Sequence, residues 1–289
     1  MSTTQKTRTF SQAAAGTEAR QRVREQIAEC GVEQQVAELE LNGYCIVPDA
    51  APLELFDRIR DAIVRVTQET LDRGVKPFDF GPNTSMMYRL LAADDVFAEA
   101  IVTPKLTALM TYLLGEGYAL TVATGSMLSE GSMPGPLHAD NQFFPDPFPP
   151  QFHVATAIWC CDDFDGEHGS THVVPGSHRR FRHPRPGEGV EEAVPVVAPK
   201  GSIVIWTGHT WHRSGGRSAA GSRVALHTGF ARPHVRVFEA YEPELVDRLT
   251  AKDPRLVRLL GADLPWEYNG DSPDLMKILA LAADTQAQA

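Results

Sequence analysis

Four residues of this 289-residue chain combine types and spacing that can do redox chemistry: His138, Asp140, His212 and Arg223. They read as His-x-Asp, a long gap, a second His, and an Arg eleven residues further on. Two histidines and one carboxylate hold one face of a non-haem Fe(II) and leave the opposite positions open to O2. A planar guanidinium grips a carboxylate through two parallel hydrogen bonds. The four together point to an Fe(II) oxygenase with 2-oxoglutarate as cosubstrate.

The spacing carries its own geometric demand. Residues at i and i+2 of a strand point to one face, so one short segment would supply both His138 and Asp140. The third ligand must then come from a strand distant in sequence, and His212 follows a predicted strand over 202–206. His209 is its rival, but on an extended segment the two point to opposite faces and only one can join the site. His212 has the better spacing to Arg223. All ten histidines fall between His138 and His234, and the first 137 residues have none.

The elements that must position these residues change character along the chain. Residues 1–16 are small and polar and read as disordered. A helical preface spans 17–117: one helix from Thr17 to Leu41 ended by Asn42-Gly43, a short strand Tyr44–Val47, a helix opened by Pro52, and a third helical stretch from Val96 to Leu114. Over 118–232 short β-like runs alternate with Gly, Pro and Ser turns: Ala119–Leu128, Val154–Cys161, Thr171–Val174, Ser202–Trp206 and Arg223–Phe230. Residues 238–289 turn helical again. The expectation is one oxygenase domain over 17–289, mainly β with flanking α-helices, its core a cupin-like jelly roll, or double-stranded β-helix.

Composition narrows the partners. A formal net charge of −10 argues against nucleic acid, whose phosphates want a basic face. No run approaches the ~20 apolar residues of a membrane span, and the N-terminus shows no apolar secretory core. Cys30, Cys45, Cys160 and Cys161 have neither CxxC nor a disulfide-framework spacing. A cytoplasmic monomer or homodimer acting on a small molecule is the expectation.

The motifs resemble the phytanoyl-CoA dioxygenase family of 2-oxoglutarate-dependent oxygenases. The stretches that carry the resemblance are LHAD (137–140), DGEHGSTHVVPGSH (165–178), GSIVIWTGHTWHRSG (201–215) and SRVALHTGF (222–230), with ELNGYCIVPDA (40–50), MYRLL (87–91) and LLGEGY (113–118) before them. The resemblance implies iron ligands at His138, Asp140 and His212. It implies that Arg223 binds the far carboxylate of 2-oxoglutarate with help from Ser214, and that Trp159 and Thr171 line the same pocket. Ala139 departs from the family, many of whose members carry Gln or Arg there. Related iron halogenases replace the carboxylate with a small residue, so Asp140 favours hydroxylation or desaturation.

Other candidates are weaker. The Pro-rich run FFPDPFPPQF (143–152) gives an apolar wall, and Phe143 and Phe144, with Met87 and Tyr88 from the preface, are candidate substrate contacts. His227 shares the strand face of Arg223 at i+4 and reads first as a core histidine. The basic run HRRFRHPR (178–185) reads as a solvated loop balanced by Glu188, Glu191 and Glu192. Two other classes stay open: a metal-dependent cupin enzyme that needs no 2-oxoglutarate, and a non-catalytic jelly-roll binding protein.

Overall fold

The computed structural model describes residues 12–75, 81–263 and 274–284. Its helices form where apolar residues recur at three- and four-residue steps. The clearest is α3 (Leu53–Asp72), after α1 (Gln12–Cys30) and α2 (Glu33–Asn42). Its Leu55, Phe56, Ile59, Ile63 and Val66 make one buried stripe. Then come α4 (Leu90–Ala93), α5 (Val96–Ile101) and α6 (Pro104–Leu114), and near the C-terminus α7 (Pro243–Lys252), α8 (Leu256–Leu259) and α9 (Leu275–Asp284).

Three expectations about helices change. The first helix starts at Gln12, so residues 12–16 are helical where the sequence read as disordered; Ala13, Ala14 and Ala15 favour helix strongly. Residues 1–11 lie outside the described part. The helix expected to run from Thr17 to Leu41 is two, broken at Gly31, whose φ of +62° no β-carbon-bearing residue adopts cheaply. The stretch 96–114 is also two helices, because Pro104 forces Thr103 to be extended.

The strands form two antiparallel sheets. β1 (Tyr44–Val47), β2 (Thr84–Met87), β3 (Ala119–Ser129), β4 (Val154–Cys160), β7 (Ile203–Thr207) and β9 (Ser222–Ala231) make the larger, in the order β1-β7-β4-β9-β3-β2. β5 (Thr171–Val173), β6 (Val194–Pro195) and β8 (His212–Ser214) make the smaller, in the order β6-β5-β8. This is the jelly-roll core with flanking helices that the sequence suggested, as two facing sheets rather than a closed barrel.

Side-chain alternation assigns each face of the large sheet. One face carries Val47, Ala157, Trp159, Ile205 and Leu226 into a core shared with Phe56, Ile59 and Ile63 of α3. Phe56 meets Trp159 with ring centroids 5.3 Å apart. Gly125 on β3 lets the helix come this close, since a β-carbon there would stand 2.9 Å from the Ile63 side chain. The other face carries Ile158, Cys160, Val204, Trp206 and Ala225 against Val173 of the small sheet and Val196 just after β6. The site belongs to this second, inter-sheet space. The four cysteines are free thiols.

Candidate metal and cosubstrate site

His138 and His212 face each other across a backbone pair. His138 N donates to His212 O at 2.9 Å, and His212 N donates to His138 O at 2.8 Å. His138 was expected on a strand, but only this single bridge forms there. Pro134 and Pro136 just before it lack the N–H groups a longer ladder needs. The bridge is enough to bring the two rings to 4.3 Å between centroids. His212 opens its own strand, β8, rather than trailing the preceding one.

The ring nitrogens are sorted by their backbone partners. His138 Nδ1 donates to Pro136 O at 3.0 Å, and His212 Nδ1 donates to Thr210 O at 3.0 Å. A carbonyl only accepts, so both protons sit on Nδ1 and both Nε2 lone pairs are free. Asp140 is sorted in the same way. Its Oδ2 accepts from Thr156 Oγ1 at 2.6 Å and from Trp206 Nε1 at 2.9 Å. Its Oδ1 turns to the histidines, 3.7 Å from His138 Nε2 and 3.4 Å from His212 Nε2.

One donor atom from each of the three residues lies within 4.8 Å of the others. Two neutral imidazoles and a carboxylate, each oriented by a hydrogen bond on its far side, are a donor set that fits a divalent first-row metal such as iron. Protonation states suit that role. Burial pushes His212 down to about 4 against the pull of Asp140. Burial would raise the Asp140 carboxyl, but His212 and His138, with the bonds from Thr156 and Trp206, hold it below the ordinary value.

His209 points elsewhere, as its parity required. It is fully buried among Phe148, Phe152 and Phe181, with ring centroids 5.2, 5.0 and 5.8 Å away. Ala139 is fully buried too, turned away from the donors into a cluster with Phe148, Val174 and Trp211.

Arg223 lies on the same sheet face, 2% exposed. Its Nη1 donates to Ser126 Oγ at 3.1 Å, its Nη2 donates to Gly169 O, and its Nε has no partner. The guanidinium stacks 4.6 Å over the Phe164 ring. Among the described residues no carboxylate pairs with it; the nearby Asp162 is spent on Arg60 Nε at 2.9 Å and Val224 N at 2.8 Å. Burial pulls the Arg223 value down to about 10. Thr171 and Ser214 sit opposite each other between β5 and β8, on the face that carries His212, and Ser214 Oγ accepts from Gly135 N at 3.1 Å.

Two expected site residues are not in this space. Trp159 faces α3, because it is one residue out of phase with Thr156 and Ile158, which face the site. Met87 likewise packs in the helix-side core; its neighbour Met86, opposite Ser126, takes the inner face. Tyr88 is 45% exposed just beyond β2. Phe143 is 81% exposed and meets Phe238, centroids 5.8 Å apart, while Phe144 stacks on His153 at 5.0 Å. The basic loop is balanced as expected, with Arg182 on Glu188 and Arg180 on Glu192. Thr156, Trp206 and Ser126 were missed by sequence reasoning; strand parity relative to Asp140 and Arg223 is the signal that finds them.

Residues 39–225 match the family model described as phytanoyl-CoA dioxygenase (PhyH). The chain is 25% identical over 225 residues to an uncharacterised protein of Mycobacterium tuberculosis, covering 76% of this chain and 82% of that one. It is 26% identical over 198 residues to dioxygenase af480 of Aspergillus fumigatus, covering 67% and 64%. Among solved structures, HygX from Streptomyces hygroscopicus with nickel and 2-oxoglutarate bound superposes with a TM-score of 0.57 at 17% identity, covering 74% of this chain and 92% of that one. The epimerase SnoN in complex with Fe3+, α-ketoglutarate and nogalamycin RO does so with a TM-score of 0.57 at 20% identity, covering 84% and 93%. At these identities the structural likeness is one of fold.

Proposed function

The chain belongs to the phytanoyl-CoA dioxygenase family of Fe(II)- and 2-oxoglutarate-dependent oxygenases, and on that premise we propose how its residues divide the work. His138, Asp140 and His212 hold Fe(II). Arg223, with Ser214 and Thr171 beside it, receives the far carboxylate of 2-oxoglutarate. The substrate is a small, largely apolar molecule, lipid-like or a secondary metabolite, hydroxylated at an unactivated C–H. The observation that carries this reading is the convergence of two Nε2 atoms and one Oδ1 whose opposite atoms are all tied off.

When bound, iron, 2-oxoglutarate and O2 supply the oxidising power, with succinate and CO2 released and a hydroxyl delivered to the substrate. The chain's own residues bind, orient and exclude water. Arg223 is a buried cation that no carboxylate among the described residues pairs with directly, an arrangement that costs several kcal/mol until an anion arrives. A dicarboxylate anchored there by one end presents its other end to the triad. Thr156 and Trp206 hold Asp140 in one rotamer, so its Oδ1 stays aimed between the histidines. Phe143, Phe238 and Tyr88 give the rim an apolar surface suited to a substrate with an apolar body. HygX binds hygromycin B and SnoN binds nogalamycin RO, both small molecules.

The test is an anaerobic titration of Fe(II)-loaded protein with 2-oxoglutarate, followed by visible absorption. A weak metal-to-ligand charge-transfer band is expected in the wild type. In Arg223→Ala the titration should need about a hundredfold more 2-oxoglutarate, the scale of truncating one partner of a buried charged contact. Stoichiometric iron with no band would sink the cosubstrate reading and favour other metal-cupin chemistry.

A further inference from the structure

Among the polar side chains of the inter-sheet space that the reaction so far leaves idle is His227 on β9. The register of β9 orders the site along one direction. Ala225 lies opposite Ser126 and Cys160, His227 opposite Thr124 and Ile158, and Gly229 opposite Thr156. The Arg223 guanidinium reaches Ser126 and therefore sits at the level of Ala225. Asp140 bonds Thr156 and therefore sits at the level of Gly229. Those levels are four residues apart, about 13 Å along the strand. His227 lies midway between them.

His227 is half-buried, although its strand neighbours Leu226 and Thr228 and its cross-strand neighbours Thr124 and Ile158 are all buried. β9 is an inner strand of the six. The exposed part of the ring therefore opens into the space between the sheets. A short chain of bonds leads to its ring. Arg223 Nη1 can only donate, so Ser126 Oγ accepts there, and its own hydrogen is free to go to His227 Nε2, 2.7 Å away. An imidazole that accepts at Nε2 carries its hydrogen on Nδ1. Burial and the nearby Arg223 cation keep the ring neutral, pushed down to about 3.

We propose that His227 is a positioning residue for 2-oxoglutarate: locked in the Nδ1–H tautomer by Ser126, it donates to the cosubstrate between its Arg223 end and its metal end. This rests on the cosubstrate reading above. Arg223 and His227 then form one rail of donors joined through Ser126, and the rail fixes the length and direction of the ligand.

The two ring nitrogens can be tested apart. Asn places an N–H near where Nδ1 stands, whereas Gln reaches where Nε2 stands. 2-Oxoglutarate is titrated calorimetrically into Mn(II)-loaded wild type, His227→Asn, His227→Gln and His227→Ala, with Mn(II) affinity and melting temperature measured on each. Wild type and Asn should bind alike, while Gln and Ala should bind about ten- to a hundredfold more weakly, the worth of one hydrogen bond to a charged group. Gln near wild type with Asn weakened would overturn the proposal, because His227 would then matter only as a support for Ser126. Unchanged binding in all three variants would overturn it as well. A different signature, wild type that holds Mn(II) but takes up no 2-oxoglutarate, would instead bring down the cosubstrate reading on which the proposal stands.

Discussion

Asp140 uses its two oxygens for two different tasks, and the division is enforced from outside the triad. Trp206 and Thr156 hold Oδ2, so Oδ1 is the atom left to face the histidines. Trp206→Phe keeps the inter-sheet packing and deletes one donor. It should weaken metal affinity by about ten- to a hundredfold with little change in folding, which competition with a chelator would read; unchanged affinity would show that Thr156 alone suffices. His209 offers a pH prediction. Burial, then the neighbouring His153 and His178, push it down to about 4. The folded chain thus keeps His209 neutral while the unfolded chain protonates it below its ordinary value near 6.5. Its contribution is complete above that value and is lost as pH falls toward 4. On going from pH 7.5 to 5, wild type should lose ~2 kcal/mol more stability than His209→Leu, as urea unfolding at the two pH values would measure. Parallel losses would contradict this assignment.

At the scale of elements, one buried carboxylate joins three segments. Glu239 accepts from Arg89 N at 2.7 Å, Ala123 N at 2.9 Å and the Tyr241 hydroxyl. It ties the end of β2, the start of β3 and the segment after β9 together. Glu239→Ala leaves two backbone N–H groups without partners and should cost about 2–4 kcal/mol in chemical denaturation. The same segments show how far the sequence could be read. Strands 44–47, 119–129 and 154–160 were legible because Gly and Pro turns bound them. β8 was not, because three residues are too few to show a period. Trp159 was placed in the cosubstrate pocket by the family resemblance alone, and the strand pattern offered nothing to set against that. β4 is buried on both sides over its second half, and a strand apolar throughout does not announce which residues point which way. The triad and Arg223 were legible because their residue types and spacing make one recognisable donor set. His227 was not distinguished from a core histidine, since only the register puts it beside Ser126.

Across the whole molecule the two sheets meet at the site as much as in the core. Asp140 hangs on the large sheet through Thr156 and Trp206, while His212 belongs to the small sheet. A metal shared by both would act as a cross-link between layers. Chelation should therefore speed hydrogen exchange in 134–140 and 210–216 far more than in β7, where strand pairing on both sides protects the backbone. Equal acceleration in β7 would argue for global loosening instead. The burial of Ala139 reaches furthest in its consequences. Its methyl packs with Phe148 and Trp211, and Phe148 anchors the proline-rich loop 143–152. A long polar side chain introduced at 139 would have no solvent to enter and would have to lift that loop. Redesigning this position is therefore redesigning the loop: residue 139 and the loop 143–152 form a single inheritable module, to be exchanged together or left alone.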